Sequence, residues 1–319
     1  MNIPLLILVY NRPLETKILI NNLKKIKPKK IFISADGPKN TSLDIRKNNQ
    51  VKNILKKINW TKDIQLNYLE KNYGCKEAVS KAIGWFFSKV KMGIILEDDC
   101  IPNKDFFLFT REILVKYKNN NKIYMVSGNN FLKKKIKIND SYYFSKYNHC
   151  WGWASWARAW KNYDKNLTSW NNFKKSKSWK NKFNNEYEKT YWGKIFGLCY
   201  KKKINSWAYP WLYSIWKKNG LCIIPKVNLV KNIGFNLNAS NTFSHQEFNY
   251  ERNSIGNKIS HPKIIKINNF ADDFVLNNFF CPKNFIWPYR LIYLINLFTK
   301  KPILFIRIIF KRIYDKKIY

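Results

Sequence analysis

Negative charge is what this chain of 319 residues has least of: 20 Asp and Glu stand against 59 Lys and Arg, a formal net charge of +39. Arginine is scarce as well, supplying only 8 of the 59 cations. Base readers lean on arginine, and no recognised nucleic-acid module is present, so nucleic acid is excluded as a partner. Lysine, asparagine and isoleucine, the residues of A/T-rich codons, are all abundant. Two readings of the lysine excess therefore stand: a solvated surface with a compositional bias, or a surface that meets an anionic membrane. The six cysteines (Cys75, Cys100, Cys150, Cys199, Cys222, Cys281) are scattered with no C-x-x-C pair. That argues against a zinc site or a disulfide framework and for reduced thiols in a cytosolic compartment. No window offers about 18 consecutive apolar residues, so no membrane span is expected. The apolar stretch Leu5 to Tyr10 has no basic residues ahead of it and no cleavage site behind it, and reads as a buried strand, not a signal peptide.

What is present is core material: 45% hydrophobic and 17% aromatic residues, enough to exclude disorder despite the charge. The first 130 residues alternate apolar runs with helical patterns. Strands are expected at 4–9, 30–34, 64–69, 93–96 and 123–126. Helices are expected at 14–26, 42–58 (with Ser42 as cap), 76–90 and 105–118. This alternation predicts an α/β fold with a mainly parallel sheet covered on both faces. Such sheets bind ligands beyond the carboxyl ends of their strands, which singles out Tyr10-Asn11-Arg12, Asp36-Gly37-Pro38 and Glu97-Asp98-Asp99. The chain divides into a first half at 1–130, an aromatic-rich second half at 131–281, and a basic amphipathic tail at 282–319. Helices are expected at 153–163, 185–200 and 209–219, with short strands at 221–224 and 228–232.

Three adjacent acids at the end of a buried strand are not background in a chain this poor in acid. Like charges in contact raise one another's pKa unless a cation neutralises them. A hard divalent ion, Mn²⁺ or Mg²⁺, carrying diphosphate oxygens on its far side would do so. The stretches P-L-L-I-L-V-Y-N-R-P at 4–13, N-Y-G-C-K-E-A-V-S-K-A-I at 72–83 and G-I-I-L-E-D-D-C-I-P-N-K-D-F-F at 93–107 occur in an order that resembles the GT-A nucleotide-sugar glycosyltransferases. The closest likeness is to N-acetylglucosaminyltransferase I and to bacterial family-2-like proteins with an E-D-D motif. The blocks H-C-W-G-W-A-S-W-A-R-A-W at 149–160 and N-L-V-K-N-I-G-F at 228–235 are similar to the bacterial relatives. The resemblance implies Asp99 as direct metal ligand, with Glu97 and Asp98 binding ribose or donor sugar. It further implies nucleotide contact by Tyr10, Asn11 and Arg12, and a uracil edge read by Asp36. Lys76 is a candidate for the diphosphate.

In these glycosyltransferases the catalytic base stands in a W-D context at the start of a helix. Here the matching stretch is Ser206-Trp207-Ala208, and alanine cannot accept a proton. Asp164, Glu186, Glu188, Glu247 and Asp272 are the remaining candidates, unranked. His245 is a candidate to complete the metal site. Trp151, Trp153 and Trp207 are expected at the acceptor, since aromatic faces stack on sugars, although most of the 13 tryptophans must fill core. The tail, with Trp287, Tyr289 and Tyr293 beside cations, reads either as an interfacial helix on anionic lipid or as a docked terminal helix. The expectation as a whole is a metal-dependent transferase moving a sugar from a UDP-linked or other nucleoside-diphosphate sugar to a glycan or lipid-linked acceptor. It would work at the cytoplasmic face of a membrane in surface polysaccharide synthesis. A sugar nucleotidyltransferase would need a Gly-rich loop after the first strand, which Tyr10-Asn11-Arg12-Pro13 does not provide. A catalytically silent glycan- or membrane-binding protein is the other alternative.

Overall fold

The computed structural model describes residues 3–132, 136–234, 251–256, 258–280, 283, 287–300, 302 and 305–306. An eight-stranded sheet forms its centre, in the order β3-β2-β1-β4-β8-β6-β9-β7. The first four neighbours, β1 (Leu5–Val9), β2 (Lys30–Ala35), β3 (Asp63–Tyr68) and β4 (Met92–Glu97), all pair in parallel. Beyond β4 the sheet is mixed: β8 (Trp153–Trp156) runs antiparallel between β4 and β6 (Ile123–Ser127). β9 (Leu221–Pro225) then pairs in parallel with β6, and β7 (Tyr142–Ser145) closes the edge antiparallel to β9. Strands from both halves of the chain thus share one sheet. The fold is a mixed α/β structure with a large, mostly parallel sheet flanked by helices.

The helices begin where local chemistry permits. α1 (Pro13–Ile26) opens on proline, whose missing N–H is not needed at the first helical position. α2 (Ser42–Leu55) is capped by Thr41, whose hydroxyl accepts the Asp44 N–H, so the cap lies one residue before the expected Ser42. α3 (Gly74–Lys89) and α4 (Lys104–Lys116) complete the first half, the latter capped by Asn103. One face of the sheet packs on an aliphatic core built from Leu19, Leu23, Val51, Ile113 and Leu114. The other packs on an aromatic core under α5 (Ala157–Trp160), α6 (Trp170–Lys175), α7 (Lys177–Lys180), α8 (Glu186–Tyr200) and α9 (Ala208–Lys217). Trp153, Trp192, Trp211 and Trp216 are all closed to solvent there.

One expectation is corrected. Residues 153–156 do not start a helix; they form β8, buried on both faces. A short apolar run flanked by strands on either side gains more from two hydrogen-bonded neighbours than from a helical turn, and its periodicity alone does not distinguish the two. A small second ribbon pairs β5 (Cys100–Pro102) antiparallel with β10 (Val230–Asn232), directly after the acid triplet.

Candidate functional site

The parallel pairing of β1 and β4 sets Leu8 beside Glu97, so both strands end at the same height. The loop Tyr10-Asn11-Arg12 and the triplet Glu97-Asp98-Asp99 therefore meet at the carboxyl edge of the sheet. Arg12 bridges them: its Nη1 lies 2.7 Å from Asp99 Oδ2 and 3.4 Å from Asp98 Oδ1. One guanidinium faces three carboxylates, so the cluster retains negative charge in a poorly hydrated place. Burial first, then repulsion from Asp99 and Asp98, pushes the Glu97 carboxyl up to about 8, with Arg12 and a hydrogen bond from Trp207 opposing. Burial and Asp99 push Asp98 up to about 7 against the pull of Arg12. Burial alone would lower the Arg12 pKa, but Asp98 and Asp99 outweigh it and raise it.

Asp99 is also held from the ribbon. The Asn232 amide donates to Asp99 Oδ1 at 3.4 Å, and the Ile233 N–H donates to the Asp99 carbonyl at 2.8 Å. Gly234 passes so close that a β-carbon there would stand 2.1 Å from Asp99 Oδ2. The approach of the backbone to the carboxylate requires glycine at this position.

Two residues not foreseen from the sequence build the rest of the loop geometry. Asp44, in the first turn of α2, accepts the Tyr10 hydroxyl at 2.6 Å, the Asn11 amide at 2.5 Å and the Lys39 N–H at 2.6 Å. Burial works against its ionisation, but these donors hold its pKa below the usual carboxylate value. One helical turn on, the Asn48 amide donates to the carbonyls of Tyr10 (3.0 Å) and Asp36 (2.9 Å), tying the loops after β1 and β2 together. The sequence signal was a pair of polar residues at i and i+4 on an otherwise apolar inner face of α2, where a buried polar group implies specific partners. The Tyr10 hydroxyl, desolvated and facing Asp44, has its pKa raised.

Asp36 is occupied otherwise than expected. Its carboxylate accepts the N–H groups of Gly37, Tyr73 and Gly74, each at 2.9 Å, and the Asn72 amide at 3.1 Å. Four donors fill its lone pairs and cap the start of α3, and no acceptor position is left for a base edge in this arrangement. Lys76 is buried in the first turn of α3, and that burial lowers its pKa, with Glu77 opposing and Lys165 and Lys202 adding to it. Trp153 and Trp207, 1% and 3% exposed, stack on each other at 5.4 Å and offer no free face to a sugar. Trp207 instead hydrogen-bonds Glu97. Trp151 is only partly buried and packs edge-on against Phe131.

Ala208 is the first residue of α9, one position from the tryptophan that touches Glu97. Of the other base candidates, Glu188 and Asp272 are sealed in the aromatic half. Glu188 pairs with Lys146 Nζ at 2.8 Å and takes the Tyr147 hydroxyl, while Asp272 takes Ser145 and the Lys146 N–H. Asp164 accepts from the N–H and hydroxyl of Thr168. Glu186 is open to solvent and paired with Lys189. Glu247 and His245 lie outside the described residues.

Among the described residues no three His, Cys, Asp or Glu side chains converge as a ready-made metal cage. The donor set at the triplet is nevertheless of the hard, oxygen-only kind, and it carries more negative charge than Arg12 offsets. Asp99, held by Asn232 of β10 and by Arg12, has carboxylate oxygens that could serve a divalent cation.

Comparison with protein-family models and with curated protein sequences finds no match. Among solved structures, a mannosyltransferase from Pyrobaculum calidifontis in complex with GDP-Man and Mn²⁺ is similar at 12% identity and a TM-score of 0.33. The match covers 49% of this chain and 45% of that one, so the chain spans under half of that protein. Mouse xyloside xylosyltransferase 1 is similar at 8% identity and TM-score 0.33 over 67% of this chain and 81% of that one. A 4-diphosphocytidyl-2C-methyl-D-erythritol synthase from Anaerococcus prevotii is similar at 9% and 0.32, over 61% and 84%. Similarities this slight say nothing of chemistry.

Proposed function

We propose that the chain is a glycosyltransferase that takes a sugar from a nucleoside-diphosphate donor, a UDP-sugar by preference, with Mn²⁺ or Mg²⁺, and passes it to a glycan or lipid-linked acceptor. The observation that carries this reading is the convergence of Glu97, Asp98, Asp99 and Arg12 at the carboxyl ends of two adjacent parallel strands. That edge is where an open α/β sheet receives a nucleotide. When bound, the cation would neutralise charge on the departing diphosphate. Asp99 would hold it, positioned by Arg12 and Asn232. Asp44 fixes Tyr10 and Asn11 as the wall on which a nucleoside rests, and Trp207 orients Glu97 toward the sugar. Arg12, held at the triplet by Asp98 and Asp99, would offer its guanidinium to a phosphate oxygen.

Ala208 favours a second reading, a protein that binds nucleotide sugar without turning it over, because the position beside the site that the resemblance assigns to the base holds no proton acceptor. Calorimetric titration with UDP, with and without Mn²⁺, followed by an assay of UDP-sugar hydrolysis and transfer, tests both. Metal-dependent UDP binding that is lost in Asp99→Ala, together with turnover, supports the transferase. Binding without turnover selects the silent form. No metal-dependent binding, or binding indifferent to Asp99→Ala, defeats the reading.

A further inference from the structure

We infer that the outward face of the C-terminal helix is a docking surface for an anionic phospholipid bilayer. The helix runs Tyr289–Lys300. Its shielded positions are Arg290, Tyr293, Leu294 and Leu297, spaced i, i+3, i+4, i+7 along one side. The other side carries Leu291, Ile292, Ile295 and Phe298, which are 44%, 56%, 54% and 59% exposed. A helix on a protein surface ordinarily turns its polar residues to water and its apolar ones inward. This helix departs from the rule: Leu294 and Leu297 turn inward beside Tyr293 and Arg290, yet three aliphatic residues and a phenylalanine also face out. Just before it, Trp287 is 72% exposed and Tyr289 45%. Rings with an apolar body and a polar tip are the side chains that settle at headgroup depth.

The chemistry of the occupant follows from the exposed apolar face and the charge. An exposed apolar face flanked by cations suits a helix lying along the headgroup boundary of a bilayer. No described helix is long and apolar enough to cross a membrane. Residues 283–300 contain no Asp or Glu, while Lys283 and Lys300 supply exposed cations at both ends. A second copy of this chain would bring the same acid-free face and a formal charge of +39, which opposes self-association. An anionic bilayer matches both features at once: acyl chains for the apolar face and phosphate groups for the flanking cations. The inference does not depend on the transferase reading.

The test is co-sedimentation of the full chain with vesicles of phosphatidylcholine alone and with phosphatidylglycerol added. Two variants are compared with the wild type. The triple variant Ile292→Ser/Ile295→Ser/Phe298→Ser leaves the charge unchanged, and Leu108→Ser alters an equally exposed apolar residue on α4. Binding to the anionic vesicles, weakened at least ~10-fold in the triple variant and unchanged in Leu108→Ser, is the expected result. Circular dichroism should show both variants folded as the wild type. Equal binding by wild type and triple variant would mean that diffuse positive charge alone holds the protein, and would overturn the proposal. So would failure to bind anionic vesicles. A concentration-dependent dimer abolished by the triple variant, without vesicle binding, would assign the face to a second copy instead.

Discussion

Raising the pH is expected to destabilise the ligand-free protein, and the acid triplet fixes both the direction and the scale. Glu97 moves from an ordinary 4.5 up to about 8, and Asp98 from 3.8 up to about 7. Below these ordinary values both folded and unfolded chains are protonated and the triplet has no effect. As pH rises past them the unfolded chain ionises freely while the folded chain resists. Stability then falls until the folded pKa is passed, by up to about 1.4 kcal/mol per pH unit for each group. For Glu97 alone the full interval would amount to about 5 kcal/mol. Glu97 keeps some contact with solvent, and the two acids repel each other, so their shifts do not add. A loss of about 2 to 3 kcal/mol between about pH 5 and 8 is the reasonable scale. Asp272, pushed up to about 7 by burial, contributes a decline of the same sign far from the site. The informative quantity is therefore the difference between wild type and Glu97→Gln, whose amide imitates the protonated acid and keeps an acceptor for Trp207. Urea unfolding across this range should give a steep profile for the wild type and a distinctly shallower one for Glu97→Gln. Parallel profiles would refute the account of an under-neutralised triplet.

Three further outcomes follow from the contacts. Asp44→Ala strips the partner from the Tyr10 hydroxyl, the Asn11 amide and the Lys39 N–H; thermal unfolding should show a loss of about 1 to 3 kcal/mol and calorimetry a weaker UDP affinity. Gly234→Ala places a β-carbon 2.1 Å from Asp99 Oδ2 and must displace that carboxylate from Arg12. Titration should show Mn²⁺-dependent UDP binding lost while the unfolding temperature changes little. Lys146→Met leaves Glu188 buried without its cation, and urea unfolding should register about 3 to 5 kcal/mol of destabilisation.

The parts legible in the sequence are those encoded by neighbours. Strands β1, β2 and β4 are five or six residues long, apolar, and end at turn or acidic residues, so their positions and the edge that receives a ligand could be read locally. The acid triplet stood out because the rest of the chain is so poor in acid. What escaped was set by distant pairings. Arg12 meets Asp99 across 87 positions, and Tyr10 meets Asp44 across 34; neither shows in spacing or periodicity. The helix expected at 153–163 failed for a related reason: whether Trp153–Trp156 is strand depends on β4 and β6 lying on either side. Burial likewise decided the tryptophans, because the same ring serves a sugar or a core and only the neighbours determine which. Ala208 offers no proton acceptor where the family resemblance expects one, and it is the first residue of α9, directly after Trp207. Since Trp207 is already committed to Glu97, placing an acid at 208 would add a fourth carboxylate beside a cluster that one arginine does not balance. An Ala208→Asp variant is therefore expected to push Glu97 further toward its protonated form, and to tighten the dependence of nucleotide binding on divalent cation. Calorimetry at matched pH would show that as a larger ratio of UDP affinity with and without Mn²⁺ than in the wild type, and an unchanged ratio would separate position 208 from the site.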